Sequence, residues 1–294
     1  MTEADWENCT DLQKMLEWLR HAGRSSDRKL RLFAVACCRT VWKLLPDEST
    51  RRVIEVAELG ADGQADPMEQ RKVLQEIQLA VNTQYGVFLC GGCDGSGSTY
   101  AAMAAVAALD PALTFTWYMG QTPSETHTAW ECVALARAQT AKEEAQEKRW
   151  QEWAESSTDG EDEPDDAWYE QTEDAARVAR NRERTAAGVA HCALLRDLFG
   201  PLPFRPATVL PSVRTWNGDN VQRLAEAAYV ERELPSGHVD PVRLAVLADA
   251  VEEAGVTDTE LLGHLRSAGP HYRGCWAVDL LRGVAAKETR SASR

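Results

Sequence analysis

The sequence predicts an all-α protein, a multi-helix array with a long helical pair and a small C-terminal helical subdomain. Three observations predict it. Apolar residues recur at helical spacing along most of the chain. Capping residues and prolines punctuate those stretches at the expected places. No strand-like alternation exceeds four residues, and no repeat of fixed period appears.

The clearest helix is "SSDRKLRLFAVACCRTVWKLLPDE". Ser25, Ser26 or Asp27 can cap it, and Pro46 is expected to end it. Leu30, Phe33, Cys37, Val41 and Leu44 form one stripe, with Leu32, Val35 and Trp42 beside it. A helix apolar on several sides belongs in a core, so Trp42 is expected to be buried. Helices follow at about residues 48–59 and 67–81. The Gly-rich "CGGCDGSGS" and an Ala-rich segment, Thr99 to Leu109, come next. "QTPSETHTAWECVALARA" is expected to start a long helix, with Thr122 as cap, Pro123 in the first turn and Glu125 completing a capping box.

Residues 155–166, "ESSTDGEDEPDD", contain seven acids and no base, and are expected to form a mobile loop. The second long helix runs from about Trp168 to Phe199. A Pro-rich connector, residues 200–216, then separates an N-terminal helical domain (1–199) from a C-terminal helical subdomain (217–294). In that subdomain Asp240 and Pro241 open one helix and Gly255 closes it. Thr257 and Glu260 suggest another capping box, and "CWAVDLL" begins the last helix.

Composition excludes several functions. The chain of 294 residues has a formal net charge of −14. Such a surface repels a phosphate backbone, so no nucleic-acid partner is expected. The longest apolar run, Ala101 to Leu109, is far shorter than a membrane span, so no membrane partner is expected. The first residues lack the basic segment of a signal peptide. A cytoplasmic protein with reduced thiols is therefore expected.

Four blocks carry a resemblance: "DRKLRLFAVACCRTVW", "LLRDLFGPLPFRP", "RLAVLADAVEEAG" and "GPHYRGCWAVDLL". In order and spacing they resemble an expanded set of paralogous proteins of planctomycete bacteria. The resemblance covers about half of the chain, at both ends. It implies that these blocks belong to one architecture, and it implies no established activity.

Two clusters are candidates for zinc. Cys90 and Cys93 lie in "CGGCDGSG", which matches the CxxCxGxG unit of the DnaJ-type zinc-binding region. That region needs a second CxxC pair, which is absent, so kinship is rejected. The same stretch lacks the lysine of a phosphate loop. His271 and Cys275 lie in "GPHYRGCWAVDLL" and would share one face if Pro270 began a helix. Gly269 and Gly274 favour instead an irregular approach, with Trp276 anchoring the last helix, Arg273 and Asp279 paired elsewhere, and Cys275 as filler. Cys37, Cys38 and Cys192 read as core residues, and His191 as a partly exposed edge residue.

No HExxH, GxSxG or GxGxxG occurs, and no catalytic residue is assigned. The leading expectation is a non-enzymatic protein-interaction module with no cofactor and a protein partner. The alternative is a zinc protein using His271 and Cys275, or Cys90 and Cys93.

Overall fold

A computed structural model of the chain describes residues 1–84, 97–109, 115–119, 122–127, 129–156, 163–205 and 207–284. The fold is all-α. Thirteen helices and two small hairpins account for its regular structure among these residues. None of the described helices is long and apolar enough to cross a membrane.

The chain divides into two compact units, Met1–Thr40 with His191–Arg294, and Val41–Ala190. The first unit opens with α1 (Glu3–Asn8) and α2 (Leu12–His21), capped by Thr2 and Asp11. Then comes α3 (Asp27–Arg39), capped by Ser26. All eight residues from Leu32 to Arg39 are buried, as an all-round apolar helix requires. The helix stops at Arg39, before the expected Pro46.

The second unit begins with a 3₁₀ turn, Trp42–Leu44, in which Trp42 is only half-buried. The expectation of a deeply buried Trp42 is corrected: the residue lies on the turn after the helix, so the helical phase no longer places it. Here α4 (Glu48–Ala61), α5 (Pro67–Gln84) and α6 (Gly97–Leu109) pack with α7 (Ala129–Ser156). Alanines 101, 102, 104, 105, 107 and 108 of α6 are buried, and their small side chains let neighbouring backbones approach closely.

The expected helix start at Thr122 is also corrected. Thr122–His127 is strand β2, antiparallel to β1 (Phe115–Met119), with a register shift between Trp117 and Tyr118. "FTWYM" is rich in β-favouring residues, and pairing with it outweighs the local capping signal. The helix starts only at Ala129.

Helices α7 and α8 (Asp166–Phe199) form the long pair. Arg137 meets Glu183 at 2.8 Å, Gln146 meets Glu173 at 2.6 Å, and Trp150 meets Trp168, so the pair runs antiparallel. Of the acidic stretch 155–166, residues 157–162 lie outside the described residues, as do Cys90 and Cys93.

Within the first unit, residues 201–205 turn, and α9 (Pro211–Arg214) follows. Leu202, Ala207 and Val209 of the proline-rich stretch pack on a core built from α10 (Trp216–Val230), α11 (Pro241–Glu253), α12 (Thr259–Leu265) and α13 (Trp276–Arg282). Asn217, Gly218 and Asp219 are all left-handed, residue types that tolerate this region, and they kink the start of α10. A two-residue hairpin, β3 (Arg232–Glu233) with β4 (His238–Val239), joins α10 to α11. Asp240 caps α11 as expected, whereas Asp258, not Thr257, caps α12.

Candidate metal centre

Residues 269–275 are not helical; α13 begins at Trp276. Gly269 and Gly274 both have positive φ, 74° and 88°. A Cβ on Gly274 would lie 2.6 Å from Leu32 Cδ1, so only glycine fits that turn. His271 and Cys275 thus approach through a tight turn rather than along one helical face. The turn is tied down by Cys275 N donating to the Tyr272 carbonyl, 2.9 Å, and Val239 N to the His271 carbonyl, 2.8 Å.

The expected anchor is in place. Trp276 is buried, and a Cβ on Gly200 would lie 2.6 Å from its Nε1. Asp279 is fully buried. It accepts from both Arg28 Nη atoms at 2.6 and 3.1 Å, and Lys29 Nζ lies 2.8 Å away. Burial alone would raise its pKa. The charges and hydrogen bonds of Lys29 and Arg28 outweigh that and hold the carboxyl well below the ordinary range. Arg273 lies over the Tyr229 ring, 4.7 Å from its centroid.

Cys275 does more than fill space. Asp197, near the end of α8, and His264, on α12, join His271 and Cys275. One ligand atom from each lies within 4.8 Å of all the others. His271 Nδ1 is 2.7 Å from Asp197 Oδ1. His264 Nε2 is 3.3 Å from the same oxygen and 3.1 Å from Cys275 Sγ. Tetrahedral zinc at its usual bond lengths separates N/O ligands by about 3.3 Å and N/S ligands by about 3.5 Å. The shorter contacts would lengthen by a few tenths of an ångström around such an ion, within a cluster whose ligand atoms all lie within 4.8 Å of one another.

The outer atoms of two ligands are anchored as well. Ser267 Oγ is 2.9 Å from His271 Nε2, and Tyr272 N donates to Asp197 Oδ2 at 2.9 Å. Such partners fix ring and carboxylate orientation around a metal.

Burial would raise the Asp197 pKa, but hydrogen bonds and charge from His264 and His271 reverse the direction and lower it. Burial would lower that of His271; Asp197 overrides this and raises it. Burial, helped by the Asp197 charge, pushes the Cys275 thiol well above its ordinary value.

Two catalytic arrangements are disfavoured by this geometry. A Cys–His–Asp relay uses both ring nitrogens, whereas here sulfur and carboxylate oxygen converge on one, His264 Nε2. Ser267, His271 and Asp197 lie in line like a serine triad. However, Ser267 Oγ donates to the His264 carbonyl at 2.8 Å, and His271 Nε2 also faces the Ser267 carbonyl at 3.4 Å. A nitrogen facing a carbonyl carries the proton, so it is a donor and not the base a serine needs.

His191 is buried, not partly exposed as its edge position suggested, and stands edge-on to Phe33 with ring centroids 6.4 Å apart. Cys37, Cys38 and Cys192 are core residues, as expected. Burial pushes the Cys192 thiol up to about 11.

His264 and Asp197 were not singled out by sequence reasoning. The spacing His264, His271, Cys275 within one short stretch was a usable signal. Asp197 is 74 residues from His271 and carried none.

The chain matches no family model, no curated protein and no solved structure.

Proposed function

We propose that this chain is a zinc-dependent helical protein whose metal is structural. Asp197, His264, His271 and Cys275 would supply four protein ligands, and a closed four-ligand site keeps no position for substrate. The observation that supports this most is the convergence of Asp197 Oδ1 and Cys275 Sγ on His264 Nε2. Three groups aimed at one point, two of them able to be anionic, repel one another unless protons or a cation sit between them. A metal would join the end of α8, α12 and the turn before α13, and so stabilise the first unit by mass action. The chain would then act through binding surfaces rather than bond chemistry.

The experiment is metal analysis of protein purified without a His tag, followed by Co²⁺ exchange. One equivalent of zinc and a thiolate-to-cobalt absorption band are expected in the wild type. Cys275→Ser should lose the band, and His264→Ala should lose the metal. Less than a tenth of an equivalent after zinc reconstitution, with no cobalt band, would overturn the reading; the cluster would then be a hydrogen-bonded network only.

A further inference from the structure

The distal part of the α7–α8 pair carries four aromatic rings, Trp150, Trp153, Trp168 and Tyr169. Trp150 lies 5.8 Å from Trp153, 4.7 Å from Trp168 and 6.1 Å from Tyr169 between ring centroids. These separations are direct ring contacts, so the cluster clasps the two helices together. A clasp alone would hide its rings. Instead Trp150 is 40% exposed and Tyr169 44% exposed, the most exposed large aromatic residues of the described chain. Tryptophan and tyrosine are the residues most enriched where partners bind.

The surroundings select the partner. Segments 143–156 and 163–173 carry ten carboxylates and two bases, Lys148 and Arg149, and Lys142 just before them lies 4.0 Å from Glu173. Both bases lie within 4 Å of Glu152. Arg149 also sits over the Trp168 ring, 5.6 Å from its centroid, so a guanidinium on an indole face already occurs here. We infer that the Trp150–Tyr169 face of this hairpin is a docking surface for an arginine- or lysine-rich protein segment. Cations of the segment would stack on the exposed rings while the acidic rim draws them in. A second copy of the chain would bring the same acidic rim against itself. Nucleic acid and an anionic membrane surface would be repelled by it. The inference does not depend on the metal centre, which lies in the other unit.

The test is fluorescence anisotropy of a labelled oligo-arginine peptide against the full chain, with an oligo-glutamate peptide as control. Wild type should bind oligo-arginine and not the control. Trp150→Ala combined with Tyr169→Ala should weaken binding about tenfold, the effect of two lost cation–π contacts. Tyr169→Leu keeps apolar packing but removes a π face, so it should weaken binding with helicity unchanged by circular dichroism. Equal affinity in wild type and both variants would overturn the inference, since charge alone would then explain binding. Absence of binding at about 0.1 mM peptide would also overturn it. So would peptide-free self-association lost in Trp150→Ala, which would assign the face to a second copy.

Discussion

Replacing Asp279 by alanine should be among the most destabilising single changes in the first unit. Its carboxylate is completely buried among Arg28, Lys29 and Arg282, and the Lys29 side chain is only 3% exposed. Removing the anion takes from Lys29 and Arg28 the carboxylate that both contact, while Arg282 keeps Glu226 at 2.6 Å. Breaking a buried pair in this way costs about 3–5 kcal/mol. Lys29 keeps two acceptors, the carbonyls of Leu198 at 2.9 Å and Gly274 at 2.6 Å, which limits its desolvation loss. Repulsion between Arg28 and Lys29 acts the other way, and we expect about 4 kcal/mol. For a unit of this size that is a fall in Tm on the order of 10 °C. Urea unfolding followed by circular dichroism reads the cost directly. The double variant Asp279→Leu with Lys29→Met should recover at least half, because both buried charges leave together. The pH dependence has a definite sign. The folded pKa of Asp279 lies below the unfolded value of about 3.9, so its contribution is complete above that value. It fades as pH falls from about 4 toward the folded value. The gap between wild type and Asp279→Asn should therefore narrow between about pH 4 and pH 2. A cost under about 1 kcal/mol for Asp279→Ala at neutral pH would refute the argument.

Other outcomes follow from the same structure. Zinc binding to the apo chain near neutral pH should release at least the Cys275 thiol proton, because burial holds that thiol protonated without a cation; calorimetry in two buffers of different ionisation enthalpy measures it. Ser267→Ala should leave one equivalent of metal bound and weaken affinity about tenfold, as loss of the anchor on His271 Nε2 would do. Gly200→Ala should cost about 2–3 kcal/mol in chemical denaturation, since φ is 51° there and the new Cβ would collide with Trp276. Among the described cysteines, only Cys9 is not buried, so brief native alkylation read by peptide mass spectrometry should modify Cys9 well ahead of Cys37, Cys38, Cys132, Cys192 and Cys275.

Helical periodicity made α3 legible before any coordinates, because burial along a helix is a local repeat that neighbouring residues report together. Caps were legible at Ser26 and Asp240 for the same reason: each bond spans at most three residues. Local signals misled where a distant strand competed. Thr122, Pro123 and Glu125 had the composition of a helix start, yet the pairing of Phe115–Met119 with Thr122–His127 decided their conformation. Trp276 as anchor was legible from its size and position, whereas the role of Cys275 beside it was not. The sequence displayed half of the candidate centre, His271 and Cys275, because they lie in one turn. Only the tertiary structure brought His264 Nε2 and Asp197 Oδ1 to them. Ligand convergence is a property of three-dimensional distance, and a carboxylate 74 residues away reaches the site only because α8 packs its end, buried, beneath that turn.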